Sequence, residues 1–125
     1  MAPPQWALKT LNEAWQLAER DDQIPELVWR RSRGNFYSSG HCSVRSRRIV
    51  VTAGTKAPRW EQRMLLLHEV AHAMCREDEH HGDMFWRTAW ALYRDFGLPV
   101  RSVLKREESY RKGARAGYLA TRPTR

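Results

Sequence analysis

Two histidines four residues apart, in His68-Glu69-Val70-Ala71-His72, lie inside a stretch whose apolar residues recur with helical period. From Pro58 to Arg76, the residues Trp60, Met64, Leu67, Ala71 and Met74 fall on one face, which predicts an amphipathic helix with Pro58 in its first turn. Side chains four apart on a helix project about one turn from each other on the same side, so both imidazoles can reach one ion. That sets two demands on the rest of the chain. It must supply an apolar layer against the other side of this helix, and it must bring at least one more ligand to the same point.

The flanking sequence supplies the layer. Residues 5 to 20 carry Trp6, Leu8, Leu11, Trp15 and Ala18 at helical intervals, after Pro3 and Pro4 at the entry. Leu27 to Arg31, Phe36 to Val44 and Arg48 to Ala53 are rich in β-branched and aromatic residues and predict three strands, with Gly34, Asn35 and Gly40 marking turns or a bulge. Asp83 to Phe96 predicts a second core helix with a broad aromatic face, ended by Gly97 and Pro99. Arg101 to Lys112 predicts a weaker basic helix, and residues 113 to 125 a mobile tail with little apolar content. The whole reads as one α+β domain over residues 1 to 112, with a mainly antiparallel three-stranded sheet and a basic C-terminal segment. The six tryptophans fit the apolar stripes and are assigned to the core.

A catalytic zinc takes three protein ligands and keeps a fourth position for water, so His68 and His72 need a partner. His81 is the expected third ligand, because Gly82 beside it permits a tight turn at the start of the next helix. Asp78 and His80 are alternatives, and Glu77, Glu79 and Asp83 weaker ones. An alignment that makes Asp78 the ligand places Cys75 where that class of site needs a glycine. Glu69, next to the first histidine, is the expected general base, taking a proton from the zinc-activated water as it attacks a peptide carbonyl. The donor to the developing oxyanion is left open among Tyr37, His41, Tyr93 and Tyr110. Cys42 and Cys75 read as buried thiols, and two cysteines make no disulfide framework.

The string from His68, Glu69, His72 and Ala73 to His81, Gly82 and Phe85 resembles the SprT-like zinc metallopeptidases, and the likeness covers roughly residues 5 to 97. The resemblance implies a zincin fold in which an N-terminal helix and a three-stranded sheet pack on the two helices that hold the zinc, and a protein or peptide as substrate. No four-cysteine zinc ribbon follows the domain, as it does in many members of that family.

Charge adds a second expectation. The net charge of +8 is distributed as +4 over residues 1 to 57, −2 over 58 to 97 and +6 over 98 to 125. Arg30, Arg31 and Arg33, together with Arg45, Arg47 and Arg48, could contact DNA or RNA phosphates without sequence preference, especially if a hairpin brings the two runs together. A nucleic-acid-binding module with a structural zinc, or a zinc hydrolase acting on something other than protein, are therefore the rival readings. No apolar run approaches membrane-spanning length and no secretory signal is evident, so a cytoplasmic location is expected.

Overall fold

The computed structural model describes residues 2–43, 45–75 and 81–123. Eight elements follow in chain order: α1 (Gln5–Leu17), β1 (Glu26–Ser32), β2 (Ser39–Ser43), β3 (Arg48–Gly54), α2 (Arg59–Cys75), α3 (Asp83–Asp95), α4 (Val100–Glu108) and α5 (Gly113–Ala120). This is the α+β arrangement expected, with helix and strand positions close to those read from periodicity. No described helix is long and apolar enough to cross a membrane.

The sheet is mixed, with β3 in the middle, and this corrects the mainly antiparallel reading. β1 runs parallel to β3 over seven residue pairs, and β2 runs antiparallel to β3 over five. Directly paired residues point to the same side of a sheet. One inner row is therefore Leu27, Ile49 and Cys42, and the next is Trp29, Val51 and Gly40. Ile49 and Val51 have no exposed surface, and these rows, with Ala53, meet the apolar faces of α1 and α2.

α2 is buried on almost every side, with Met64, Leu66, Leu67, Val70 and Ala71 all inaccessible to solvent. Such a helix has apolar neighbours all round, so it can act as a rigid central rod. α3 covers its other side through Phe85, Trp86, Ala89 and Trp90.

The segment expected to be a mobile tail instead folds as α5 and packs on α3. Ala114 is fully buried, its carbonyl accepts from Trp90 Nε1 at 3.2 Å, and Tyr118 lies edge-on to Trp90. A Cβ at Gly117 would lie 2.4 Å from Trp86 Cβ, so only a glycine lets the two helices come this close. The contact is made by small residues, which is why hydropathy alone misses it.

The parallel register also separates the two arginine runs that a hairpin was expected to join. Arg48 is opposite Glu26, whereas Arg30 and Arg31 are opposite Thr52 and Ala53, about four residues or 13 Å further along. Arg47 and Arg48 are further engaged with Asp22 and Glu26 at 3.1 and 2.8 Å. Arg20 holds Asp22 from the other side and donates to the Met74 carbonyl at the far end of α2. The hydrogen bond from Arg20 draws the Asp22 carboxyl down to about 2.

Candidate metal centre

The regular turn of α2 places His68 and His72 one above the other, as their spacing requires. His81 meets them from the residue before the N-cap of α3. Its Nε2 lies 3.0 Å from His68 Nε2 and 3.1 Å from His72 Nε2, and the three ligand atoms all fall within 4.8 Å of one another. Three nitrogens around one zinc at about 2.0–2.1 Å stand about 3.3 Å apart, so the donor set has the right chemistry and scale for such an ion. The three histidines thus form a cluster that could hold a metal ion. Asp78, His80, Glu77 and Glu79 lie outside the described residues, and Asp83 begins α3.

The chain reaches this geometry through a left-handed residue. His81 itself has φ 56°, while Gly82 has an ordinary extended conformation, φ −84° and ψ −169°. The turn was expected to fall on the glycine. It falls on the ligand, a conformation that a non-glycine residue keeps only when its surroundings hold it there. Phe85, one turn into α3, provides that support. Its ring stacks on His72 at 4.3 Å and meets His68 and His81 edge-on, each at 4.8 Å.

His68 is oriented from behind. Its Nδ1 lies 2.7 Å from Glu107 Oε2, and both side chains are 1% exposed. A carboxylate can only accept, so Nδ1 carries the hydrogen and the Nε2 lone pair faces His72 and His81. Tyr93 donates to the same carboxylate oxygen at 2.7 Å. Burial alone would raise the Glu107 carboxyl, but His68, Tyr93 and Arg111 together hold it below the usual range. Tyr93 is pushed well above its ordinary value by burial and by Glu107, and stays a neutral donor.

Arg111 connects the other oxygen of Glu107 to the cluster. From the turn between α4 and α5 it pairs with Glu107 Oε1 at 3.3 Å and donates through Nε to His81 Nε2 at 3.0 Å. Neither Glu107 nor Arg111 was anticipated from sequence. They lie 39 and 30 residues from the histidines they contact, in a segment that reads only as a basic helix. Of the expected oxyanion donors, Tyr93 is committed to Glu107, His41 is exposed on β2, and Tyr37 and Tyr110 flank Arg106.

Glu69 lies outside the ligand group and is 3% exposed. Burial raises its carboxyl above the ordinary value, partly offset by His68 and Arg111. Room for it comes from β2, where Gly40 occupies an inner-row strand position and is not the turn or bulge its identity suggested. A Cβ there would sit 3.2 Å from Glu69 Cγ and 2.8 Å from the Val50 carbonyl oxygen. Burial and the nearby Glu69 push the Cys42 thiol up to about 11, so it is a neutral thiol. Cys75 is half-buried and donates to Thr88 Oγ1.

The sequence matches no protein-family model, and no curated protein or solved structure matches it either.

Proposed function

We propose that this chain is a zinc-dependent metallopeptidase of the kind its sequence resembles. The observation that carries the reading is the pairing of a three-histidine cluster with a buried carboxylate, Glu69, that is not one of the ligands. A closed structural site has no use for such a neighbour, whereas hydrolysis needs a base. A zinc ion held by His68, His72 and His81 supplies Lewis acidity, which acidifies water and polarises a carbonyl.

This chain's own groups do the rest. Glu69, whose carboxyl burial raises above its ordinary value, takes the proton from the attacking water and passes it to the leaving amine. Arg111, held beside His81 by Glu107, would supply positive charge to the developing negative charge on the peptide oxygen. β2 is an edge strand beside Glu69, and its outer edge can pair with an extended peptide.

Glu69→Gln should keep one zinc per chain and the native melting profile, and lose about 10² to 10⁴-fold in peptide hydrolysis. His81→Ala should lose the zinc. A Glu69→Gln variant within threefold of wild type, on a peptide the wild type cleaves, removes Glu69 from the reaction and with it this reading.

The basic surface supports a second role, in which exposed Arg30, Arg31 and Arg33 bind nucleic-acid phosphates and gather bound proteins near the cleft. Changing all three to Gln should then weaken duplex DNA binding and flatten its salt dependence. Binding indifferent to salt and to these substitutions rejects this role alone.

A further inference from the structure

Arg31 stands where the pattern of its strand calls for another apolar residue. Leu27, Trp29 and Arg31 alternate onto the inner side of β1, opposite Ile49, Val51 and Ala53, and the first two are buried while Arg31 is exposed. Arg30, one residue away, points to the other side of the sheet. A charge can end an apolar row without a partner only where the row runs out into open space. Here the row does so. Ala53 across from Arg31 is small, and beside it lies a hollow of about 350 Å³, where the start of α1, the ends of β1 and β3 and the start of α2 meet.

The wall of this hollow is positive. Among the described residues Arg31 and Arg59 line it, no acidic side chain does, and neither arginine takes part in an ion pair. Both arginines are exposed, so their guanidiniums are within reach of a ligand in the hollow. Thr55 and Gln62 add a hydroxyl and an amide to the wall. Trp6, assigned to the core from sequence, is only half-buried here. Trp29 meets its ring edge-on at 5.5 Å, and the Arg59 guanidinium lies over it at 4.4 Å. Indole and guanidinium together make a flat wall braced by a buried residue.

We infer that this hollow is a binding site for a nucleoside 5′-phosphate, with the phosphate between Arg31 and Arg59 and the base against the wall made by Trp6 and Arg59. Charge selects the phosphate. A terminal phosphoryl group is close to a dianion at neutral pH and matches two guanidiniums, whose planar forks bind its oxygens in pairs. A phosphate inside a strand is a monoanion, and the chain on both of its sides keeps it out of a hollow. A carboxylate is a monoanion as well. Size selects the rest. The volume falls in the range of small-molecule sites, roughly 300–1,000 Å³, and an inorganic phosphate alone would leave the flat wall uncovered. A nucleobase stacks on aromatic rings and on guanidinium planes alike.

The site stands apart from the histidine cluster. Arg59 is nine residues before His68 on α2, about 14 Å along the axis. The inference goes beyond both roles proposed above, since peptide hydrolysis does not require this hollow and the basic-surface role needs only exposed charge.

The test titrates adenosine 5′-phosphate into the 125-residue chain and follows the NMR shift of the Trp6 indole N–H. The nucleotide should bind about tenfold more tightly than adenosine. Arg31→Gln combined with Arg59→Gln should weaken it by about tenfold and close the gap to adenosine, with melting profile and zinc content unchanged, because both side chains are exposed. Arg31→Gln alone leaves Arg59 on Trp6 and should cost about threefold. Equal binding of nucleotide and nucleoside, no shift at Trp6, or binding unchanged in the double variant overturns the inference. Tighter binding of inorganic phosphate or of N-acetyl-phosphotyrosinamide does so too, because the site would then read another anion. A chain that fails here and still binds duplex DNA in a salt-sensitive way keeps the basic-surface role.

A second arm names the source of the nucleotide. A short single strand bearing a 5′-phosphate is compared with adenosine 5′-phosphate and with the same strand ending in a 5′-hydroxyl. Tighter binding of the phosphorylated strand than of either supports the site and assigns it to strand ends. Tighter binding of the free nucleotide supports the site as one for a small ligand.

Discussion

Arg106 and Glu107 are neighbours on α4, yet they belong to two buried networks of opposite character. Glu107 is satisfied on both oxygens, by His68 and Tyr93 on one and Arg111 on the other. Glu61, equally buried and paired with Arg106, leaves one oxygen without a partner among the described residues. A buried carboxylate with all its partners fixes its surroundings, and one lacking a partner carries a desolvation cost that nothing offsets. The first arrangement holds a histidine in one tautomer and orientation. The second leaves an acceptor unmatched among the described residues.

The contrast breaks most clearly at Glu107. Its replacement by Ala should cost about 3–5 kcal/mol, because Arg111 and His68 Nδ1 lose a buried charged acceptor together. Denaturant unfolding measures this, and a loss under 1 kcal/mol would mean the network carries little. Zinc affinity should fall about 10 to 100-fold in the same variant. Glu61→Gln keeps the shape and an acceptor for the Ser38 amide, so its cost should be smaller, about 1–2 kcal/mol. Equal effects from the two variants would erase the distinction.

Gly40→Ala tests the space beside Glu69 without altering either network. The new methyl would press on the Val50 carbonyl and the Glu69 side chain, costing about 1–3 kcal/mol. Activity should fall by more than zinc binding does, because the methyl displaces the base and touches no ligand. Unchanged hydrolysis would show that Glu69 has room to spare.

How much of this could be read from the chain depends on how locally each feature is determined. His68, Glu69 and His72 were legible because one helix places all three, and His81 because it lies just ahead of the next helix. The backbone turn at His81 was misassigned to Gly82, since sequence shows where a left-handed residue is cheap and not where packing by Phe85 enforces one. Glu107 and Arg111 stayed hidden among other charged residues of a basic segment. The parallel pairing of β1 with β3 was hidden too, because strand composition carries no direction. α5 escaped for the opposite reason from most helices, its contact with Trp86 being made by glycines where a large apolar stripe is the usual sign.

The order in which these parts leave the ribosome gives the Glu107 contact a further meaning. His68 and His72 are made first, and α2 can form around them, but the carboxylate that sets the His68 tautomer comes 39 residues later and Arg111 later still. α5, which presses Gly113 and Gly117 against Trp86 beside His81, follows both. A nascent chain therefore carries the histidines well before the groups that orient and brace them. The centre is completed only after α4 and the turn beyond it have been made, so a chain truncated before α4 would hold the motif without the surroundings that make it a site.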